Sequence, residues 1–294
     1  MLPLYDAHQH FQFEALTPYR SAIDADLRAI GLKRAVVNGT SEEEWPVVAA
    51  LAKQYDWILP SYGIHPWDCG NRSVNWQSSL RAVLEADSTA GVGEIGLDRW
   101  IIEGIRPDDP RIAGLRVAPL EEQQEVFSRQ LALAAELDRG TSIHCVQAFG
   151  ALLATLSKSK LPERGFLLHC YSGPAEMVGP FADLGAYFSF NGSFLGRLPG
   201  EKSRSVKKDI LQTYALISSD RLLIETDAPA TPLPLSHELY SLPVSAEGER
   251  PNHPANLLAT YRALAEIRGE PVEKLAEQVE ANFQALFARP RQPV

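Results

Sequence analysis

Four histidines and two carboxylates sit where short apolar runs end. His8 and His10 close the first run, in Asp6-Ala7-His8-Gln9-His10. Glu94 closes a later one, in Gly91-Val92-Gly93-Glu94-Ile95-Gly96-Leu97-Asp98, and His144, His169 and Asp227 close three more. Imidazole nitrogens and carboxylate oxygens are donors that first-row divalent ions prefer. Four imidazoles and two carboxylates suffice for two ions with a carboxylate between them, a site that activates water for hydrolysis. Taken singly, each histidine has an ordinary reading as a satisfied polar residue, and His-x-His alone is weak. Together they point to a metal site, because polar groups facing a barrel interior are costly without partners.

These donors meet only if the fold gathers strand ends. β-Branched runs at 4–8, 34–37, 58–62, 91–95, 142–145, 166–170, 186–190 and 222–226 alternate with helical patterns. The helical patterns include 42–55, 74–85, 121–138, 174–184 and 206–215, with two more at 254–267 and 272–286. Eight such units over 294 residues predict parallel pairing in a closed (β/α)8 TIM barrel, an α/β fold forming a single domain over 1–294. An open doubly wound sheet is the runner-up. In a barrel the carboxyl ends of the strands converge on one mouth, so the six donors would meet there. Residues i and i+2 of a strand share a face, which points His8 and His10 the same way. Cys145 and Cys170 directly follow histidines and are expected to point outward as small core residues. Long loops follow strand 4 (99–119) and strand 8 (228–252), a length usual for functional segments. The second holds Pro229, Pro232, Pro234, Pro243 and Pro251, so it is expected to be stiff rather than helical.

Hydrophobic residues at 45% and charged residues at 22% exclude global disorder, collagen and a small disulfide scaffold. No apolar run approaches the roughly 20 residues of a spanning helix. The first residues show no basic and apolar leader, so no signal peptide is expected. Three cysteines, an odd and small number, fit a reducing cytoplasm. The net charge of −9 counts against a large-footprint duplex binder, although a metal or a few arginines could hold a phosphate locally.

Further residues surround the expected mouth. Glu225 faces the same interior as Asp227, as a partner of a ligand or as a structural hydrogen-bonder. His65, in Gly63-Ile64-His65-Pro66, is expected to meet substrate or back a ligand. Asp98 is expected to orient the turn around Glu94, with a substrate role as the alternative. His253 sits near the exit of the second long loop and could approach substrate, whereas His237 is expected to be solvated. Trp67 and Trp100 either stack on bases or pack at the rim. Arg197, Lys202, Arg204, Lys207 and Lys208 form either a solvated helix face or a path for a nucleic-acid backbone.

The chain resembles the TatD-like metal-dependent deoxyribonucleases, within the amidohydrolase-type barrels. The resemblance spans nearly the whole length. It rests on Asp6-Ala7-His8-Gln9-His10, Gly63-Ile64-His65-Pro66, Gly93-Glu94-Ile95-Gly96-Leu97-Asp98, Gln124 to Gln130 leading into Ile143-His144, and Leu168-His169-Cys170-Tyr171-Ser172-Gly173. Phe188-Ser189-Phe190-Asn191-Gly192, Leu223-Ile224-Glu225-Thr226-Asp227-Ala228-Pro229 and Pro254-Ala255-Asn256-Leu257 complete it. It implies a two-metal phosphodiesterase acting on nucleic-acid ends or another small phosphodiester, foremost a 3′ to 5′ DNA exonuclease, with no membrane and no stable protein partner. It implies a first ion held by His8, His10, Glu94 and Asp227, and a second by Glu94, His144 and His169. Glu94 would bridge them, and Asp227 would hold the attacking water or take its proton. Zinc, manganese, magnesium and iron all remain open as the ion.

Two departures stand out. Cys145-Val146-Gln147 follow His144 where family members usually carry Ser-Arg-Asp, and Arg250-Pro251-Asn252-His253-Pro254 replaces an Arg-Asn-Glu-Pro pattern. Val146 offers no fork of donors to a phosphate, so a weaker or narrower nuclease is expected. The competing readings are a metal-dependent hydrolase of a C–N or ester bond, such as an amidohydrolase or aminoacyl-ester deacylase, and a silent binding module.

Overall fold

The computed structural model describes residues 2–196, 206–245 and 248–288. Eight strands form one sheet in the order β1 to β8: Leu4–Gln9, Leu32–Gly39, Ile58–Tyr62, Gly91–Asp98, Thr141–Val146, Phe166–Leu168, Ala186–Asn191 and Leu222–Glu225. Each strand from β1 to β7 pairs in parallel with the next. Helices follow the strands: α1 Arg20–Ile30, α2 Trp45–Gln54, α3 Trp76–Ala86, α4 Trp100–Glu103, α5 Leu120–Leu137, α6 Phe149–Leu156, α7 Val178–Asp183 and α8 Val206–Leu216. Two more, α9 Leu257–Arg268 and α10 Val272–Phe283, follow β8. The expected TIM barrel is therefore the fold.

Burial explains the strand and helix patterns. Strands covered on both sides read as continuous apolar runs, and all eight residues of β4 are buried. Helices show one buried stripe: Ile23, Leu27 and Ile30 in α1, and Trp76, Leu80 and Leu84 in α3. Gly31 ends α1 at φ 94°, where its N–H reaches back to the last carbonyls.

The barrel closes between its first and last strands just beyond β8. The Asp227 N–H donates to the His8 carbonyl (2.9 Å), and the His10 N–H donates to that of Ala228 (2.7 Å). The buried Asp6 carboxylate accepts from the Thr226 N–H (3.1 Å) and hydroxyl (2.6 Å). His8, His10 and Asp227 thus lie on one seam.

Strand ends depart from expectation in three places. β4 runs on to Asp98, so Glu94 lies mid-strand. Gly96, at φ 151°, pairs with His144, and any side chain at 96 would overlap the His144 carbonyl. β6 stops at Leu168, and β8 stops at Glu225, before Asp227. Loop 99–119 contains α4 and a short 3-10 turn at Pro110–Ile112, while loop 228–252 carries a lone antiparallel bridge between Ser241 and Asn252. Among the described residues, no helix is long and apolar enough to cross a membrane.

Candidate metal centre

The carboxyl ends of the strands surround a cavity of about 630 Å³ whose lining includes His10, His65, Glu94, His144, His169 and Asp227. Glu94 occupies its centre, and its two oxygens face different groups. Oε2 lies 3.4 Å from His8 Nε2 and 3.2 Å from His10 Nε2. Asp227 Oδ1 joins that group, 3.4 Å from His10 Nε2 and 3.8 Å from His8 Nε2. Oε1 lies 2.9 Å from His144 Nδ1, 2.8 Å from His169 Nε2 and 3.3 Å from His65 Nε2. The His8 and His169 rings stack at 3.8 Å, so the two groups adjoin.

The far nitrogens of His8, His10 and His144 also have hydrogen-bond partners. His10 Nδ1 lies 2.8 Å from the Asn38 carbonyl, and His8 Nδ1 lies 2.7 Å from Ser142 Oγ. His144 Nε2 lies 3.3 Å from Asp98 Oδ2, whereas His169 Nδ1 makes no hydrogen bond and faces Glu225 Oε1 at 3.6 Å. Such partners fix ring orientation and tautomer, the usual surroundings of metal-binding histidine. Glu225 is held in turn by the Ser189 hydroxyl and by Asn191 Nδ2 (3.2 Å). His65 differs. Its Nδ1 accepts from the Trp67 N–H (3.2 Å), which leaves the neutral ring's proton on Nε2, facing Glu94.

Electrostatics match a cation site. Burial pushes Glu94 up, but His65, His169 and His8 outweigh it and hold the carboxyl well below its ordinary range. Burial likewise opposes ionisation of Asp227, and His10 leads the groups that keep it ionised. Burial lowers His10 and His144, yet Asp227 with Glu94 raises the first to about 10, and Asp98 with Glu94 raises the second to about 9. Positive charge is therefore favoured at these rings, and a divalent ion would displace the protons held there. Three clusters meet metal-binding spacing: His8, His10 and Asp227; His8, Glu94 and His169; His65, Glu94 and His144.

Several expectations need correction. Asp98 does not orient the turn around Glu94: it holds His144, the Trp67 indole N–H (2.7 Å) and the Ile101 N–H (3.1 Å). His253 does not reach the mouth. Its ring lies against Tyr240, accepts from the Ala255 N–H and faces Asp26 at 3.4 Å. Cys170 does not point outward. It follows the end of β6 at φ 46°, which breaks the alternation and brings its thiol to the Glu225 carboxylate; burial first, then Glu225, pushes the thiol up. Cys145 is buried in the core as expected, and His237 is exposed. Val146 continues β5 opposite Asp98 and is not among the lining residues of the cavity, and Gln147 is exposed at φ 54°. Arg197, Lys202 and Arg204 lie outside the described residues, as do the side chains of Lys207 and Lys208.

Sequence reasoning missed two sets of residues. Gln123 and Gln130 of α5 are buried and bond the strand-end backbone reciprocally. Gln123 Oε1 accepts from the Asp98 N–H (2.8 Å), and Gln130 Oε1 accepts from the Ile64 N–H (2.7 Å). Their amides donate back to the Asp98 and Ile64 carbonyls. A seven-residue spacing that puts both on one helix face was the available signal. The second is Arg111, which lines the cavity from the first long loop, whereas Arg250, a basic group the sequence offered if its loop folded over the mouth, lines it from the second.

The TatD related DNase family matches residues 5–288. The chain belongs to that family. The 3′-5′ ssDNA/RNA exonuclease TatD of Cronobacter sakazakii is 30% identical over 276 residues, covering 93% of this chain and 94% of the relative. The enzyme of the same name from Klebsiella pneumoniae is 30% identical over 265 residues, covering 90% and 89%. Among solved structures, the TatD homolog YJJV from Escherichia coli is 27% identical, with a TM-score of 0.78 and 98% of each chain covered. A phosphotriesterase homology protein from the same organism, solved with phosphate in its active site, is 17% identical with a TM-score of 0.63 and shares the fold. This TatD-family chain is a hydrolase built on a metal-dependent barrel, with His, Glu and Asp groups able to hold metal ions.

Proposed function

We propose that this TatD-family hydrolase removes nucleotides from the 3′ end of single-stranded nucleic acid, using two divalent ions. The observation that carries the reading is the division of Glu94: one oxygen serves His8, His10 and Asp227, the other His144 and His169. His8, His10, Glu94 and Asp227 would hold one ion, and Glu94, His144 and His169 the other. Ions held there lower the pKa of water towards neutrality and offset charge on the phosphoryl oxygens.

The chain's own groups supply the rest. Asp227, kept ionised, takes the proton of the attacking water. As the water oxygen bonds to phosphorus, the bond to the preceding nucleotide's 3′ oxygen breaks, and Asp227 can return the proton to that leaving oxygen. The Nε2–H of His65 is a donor beside Glu94, placed to hold a phosphoryl oxygen. Arg111 and Arg250 reach the cavity wall from the long loops, paired there with Asp109 and Glu238. Val146 is not among the lining residues, so an arginine contact to the phosphate falls to these loops rather than to residue 146. The matched family covers almost the whole chain, in keeping with one domain. Three free cysteines suit a reducing cytoplasm.

The test offers metal-reconstituted protein a 5′-labelled single-stranded oligonucleotide, with a chelator control. Stepwise shortening from the 3′ end, abolished by chelator, is expected. Turnover of an aminoacyl ester with no cleavage of any phosphodiester would overturn the reading.

A further inference from the structure

One wall of the cavity is aromatic and takes no part in holding Glu94. Trp67 lines the cavity and is half-buried. Its ring stacks on Trp100 with centroids 6.1 Å apart and planes 24° apart. The Arg111 guanidinium lies 5.1 Å from the Trp100 ring, tied to Asp109 at 2.7 Å. One carboxylate fixes the pair: Asp98 Oδ2 accepts from the Trp67 indole N–H, and Oδ1 accepts from the Ile101 N–H at the start of α4, which carries Trp100. The indole thus cannot turn without breaking a 2.7 Å hydrogen bond. The platform stands beside the reacting groups, with the His65 ring 6.2 Å from that of Trp67.

We propose that Trp67 is the stacking platform for the base of the terminal nucleotide. This rests on the exonuclease reading above. Every base has a π face, so a flat indole recognises the end of a strand without reading its sequence. Trp100, Arg111 and Asp98 hold the ring in place before substrate arrives, so little order is lost on binding. Phe13, the other aromatic residue lining the cavity, leans instead on the His10 ring at 4.6 Å and has no comparable support.

The test compares two oligonucleotides that differ only at the 3′-terminal residue, one a thymidine and the other an abasic tetrahydrofuran. Metal-reconstituted wild type, Trp67→Leu, Trp67→Phe and Phe13→Leu are assayed for KM and kcat. Trp67→Leu should raise KM for the thymidine end about tenfold, the scale of one base–aromatic stack, and leave KM for the abasic end unchanged. Trp67→Phe should recover most of the loss, because it keeps an aromatic face. In parallel, a cleavage-resistant phosphorothioate oligonucleotide should quench the tryptophan fluorescence of wild type more than that of Trp67→Phe. Equal KM changes for both ends, no change at all, or a base-dependent loss in Phe13→Leu alone would each overturn the assignment. Failure of wild type to cleave either oligonucleotide would sink the exonuclease reading instead. The quenching comparison would then decide the stacking by itself, and equal quenching in wild type and Trp67→Phe would refute it.

Discussion

Replacing Asp98 with asparagine isolates the support of the second donor group while changing few atoms. The Asp98 carboxylate accepts three hydrogen bonds on two oxygens: Trp67 Nε1 and His144 Nε2 meet Oδ2, and the Ile101 N–H meets Oδ1. An asparagine offers one acceptor and one donor group. If its oxygen stays toward Trp67 and His144, its NH2 confronts the Ile101 N–H and that bond is lost. If the amide turns over, its NH2 faces both the Trp67 N–H and His144. His144 then carries its proton on Nδ1, the nitrogen that faces Glu94, and that nitrogen is lost to a metal. Either way a buried hydrogen bond to a charged group disappears, worth about 1.5–3 kcal/mol. Second-layer partners of metal-binding histidines typically account for about 10–100-fold in metal affinity or activity. We therefore expect Asp98→Asn to weaken metal binding at the Glu94, His144 and His169 group by about tenfold or more, with a matching fall in kcat. Competition against a graded chelator, read beside steady-state kinetics, measures both. A variant with normal metal affinity and normal kcat, whatever its melting temperature, would refute the reasoning, because it would make the His144 contact incidental.

Other outcomes follow from the same geometry. Asp227→Asn should cost about a hundredfold or more in kcat, as proton-handling groups do, while elemental analysis still finds metal at the Glu94, His144 and His169 group. Full activity would contradict the assigned role. Glu94→Ala should lower metal loading from two ions per chain to one or none, and unchanged stoichiometry would dismiss the bridge. Gly96→Ala should lower stability and metal loading together, because its methyl group meets the His144 carbonyl. Normal melting with normal loading would count against that close approach. Stability without metal should depend on pH in a defined direction. His10 and His144 are raised from 6.5 to about 10 and about 9, so their stabilisation is full below about pH 6.5 and is lost as pH rises through 9 and 10. Burial raises Asp6 to about 8, which adds a loss in the same direction. Chelator-treated protein should therefore melt at progressively lower temperature from pH 7 to 10, and a rising Tm over that window would refute the assignment.

The strands were legible because parallel strands buried on both faces must be written as short β-branched runs. Ile58–Tyr62 falls where its run of residues places it. Strand ends were not legible in the same way, because partners far along the chain decide them. β4 extends beyond Glu94 because Gly96 allows it to lie close to His144. Cys170 escaped the two-residue alternation because the strand had already ended. The six donors were readable from residue type and position at the mouth, but their supports were not. Asp98 acts through backbone and ring contacts that have no local signature, and Gln123 is signalled only by its seven-residue spacing from Gln130. His253 looked exposed to substrate because it follows a long loop, yet its neighbours Tyr240 and Asp26 come from elsewhere in the chain.

The closure between β1 and the segment after β8 bears on the order in which the protein is made. His8 and His10 are synthesised before Asp227, which follows His10 by 217 residues (227 − 10). Until 222–228 emerges, the seam that joins Asp227 to His8 and His10 to Ala228 cannot form. A nascent or prematurely terminated chain therefore has the histidines without the acid that completes their group. A chain cut short before β8 should therefore be inert.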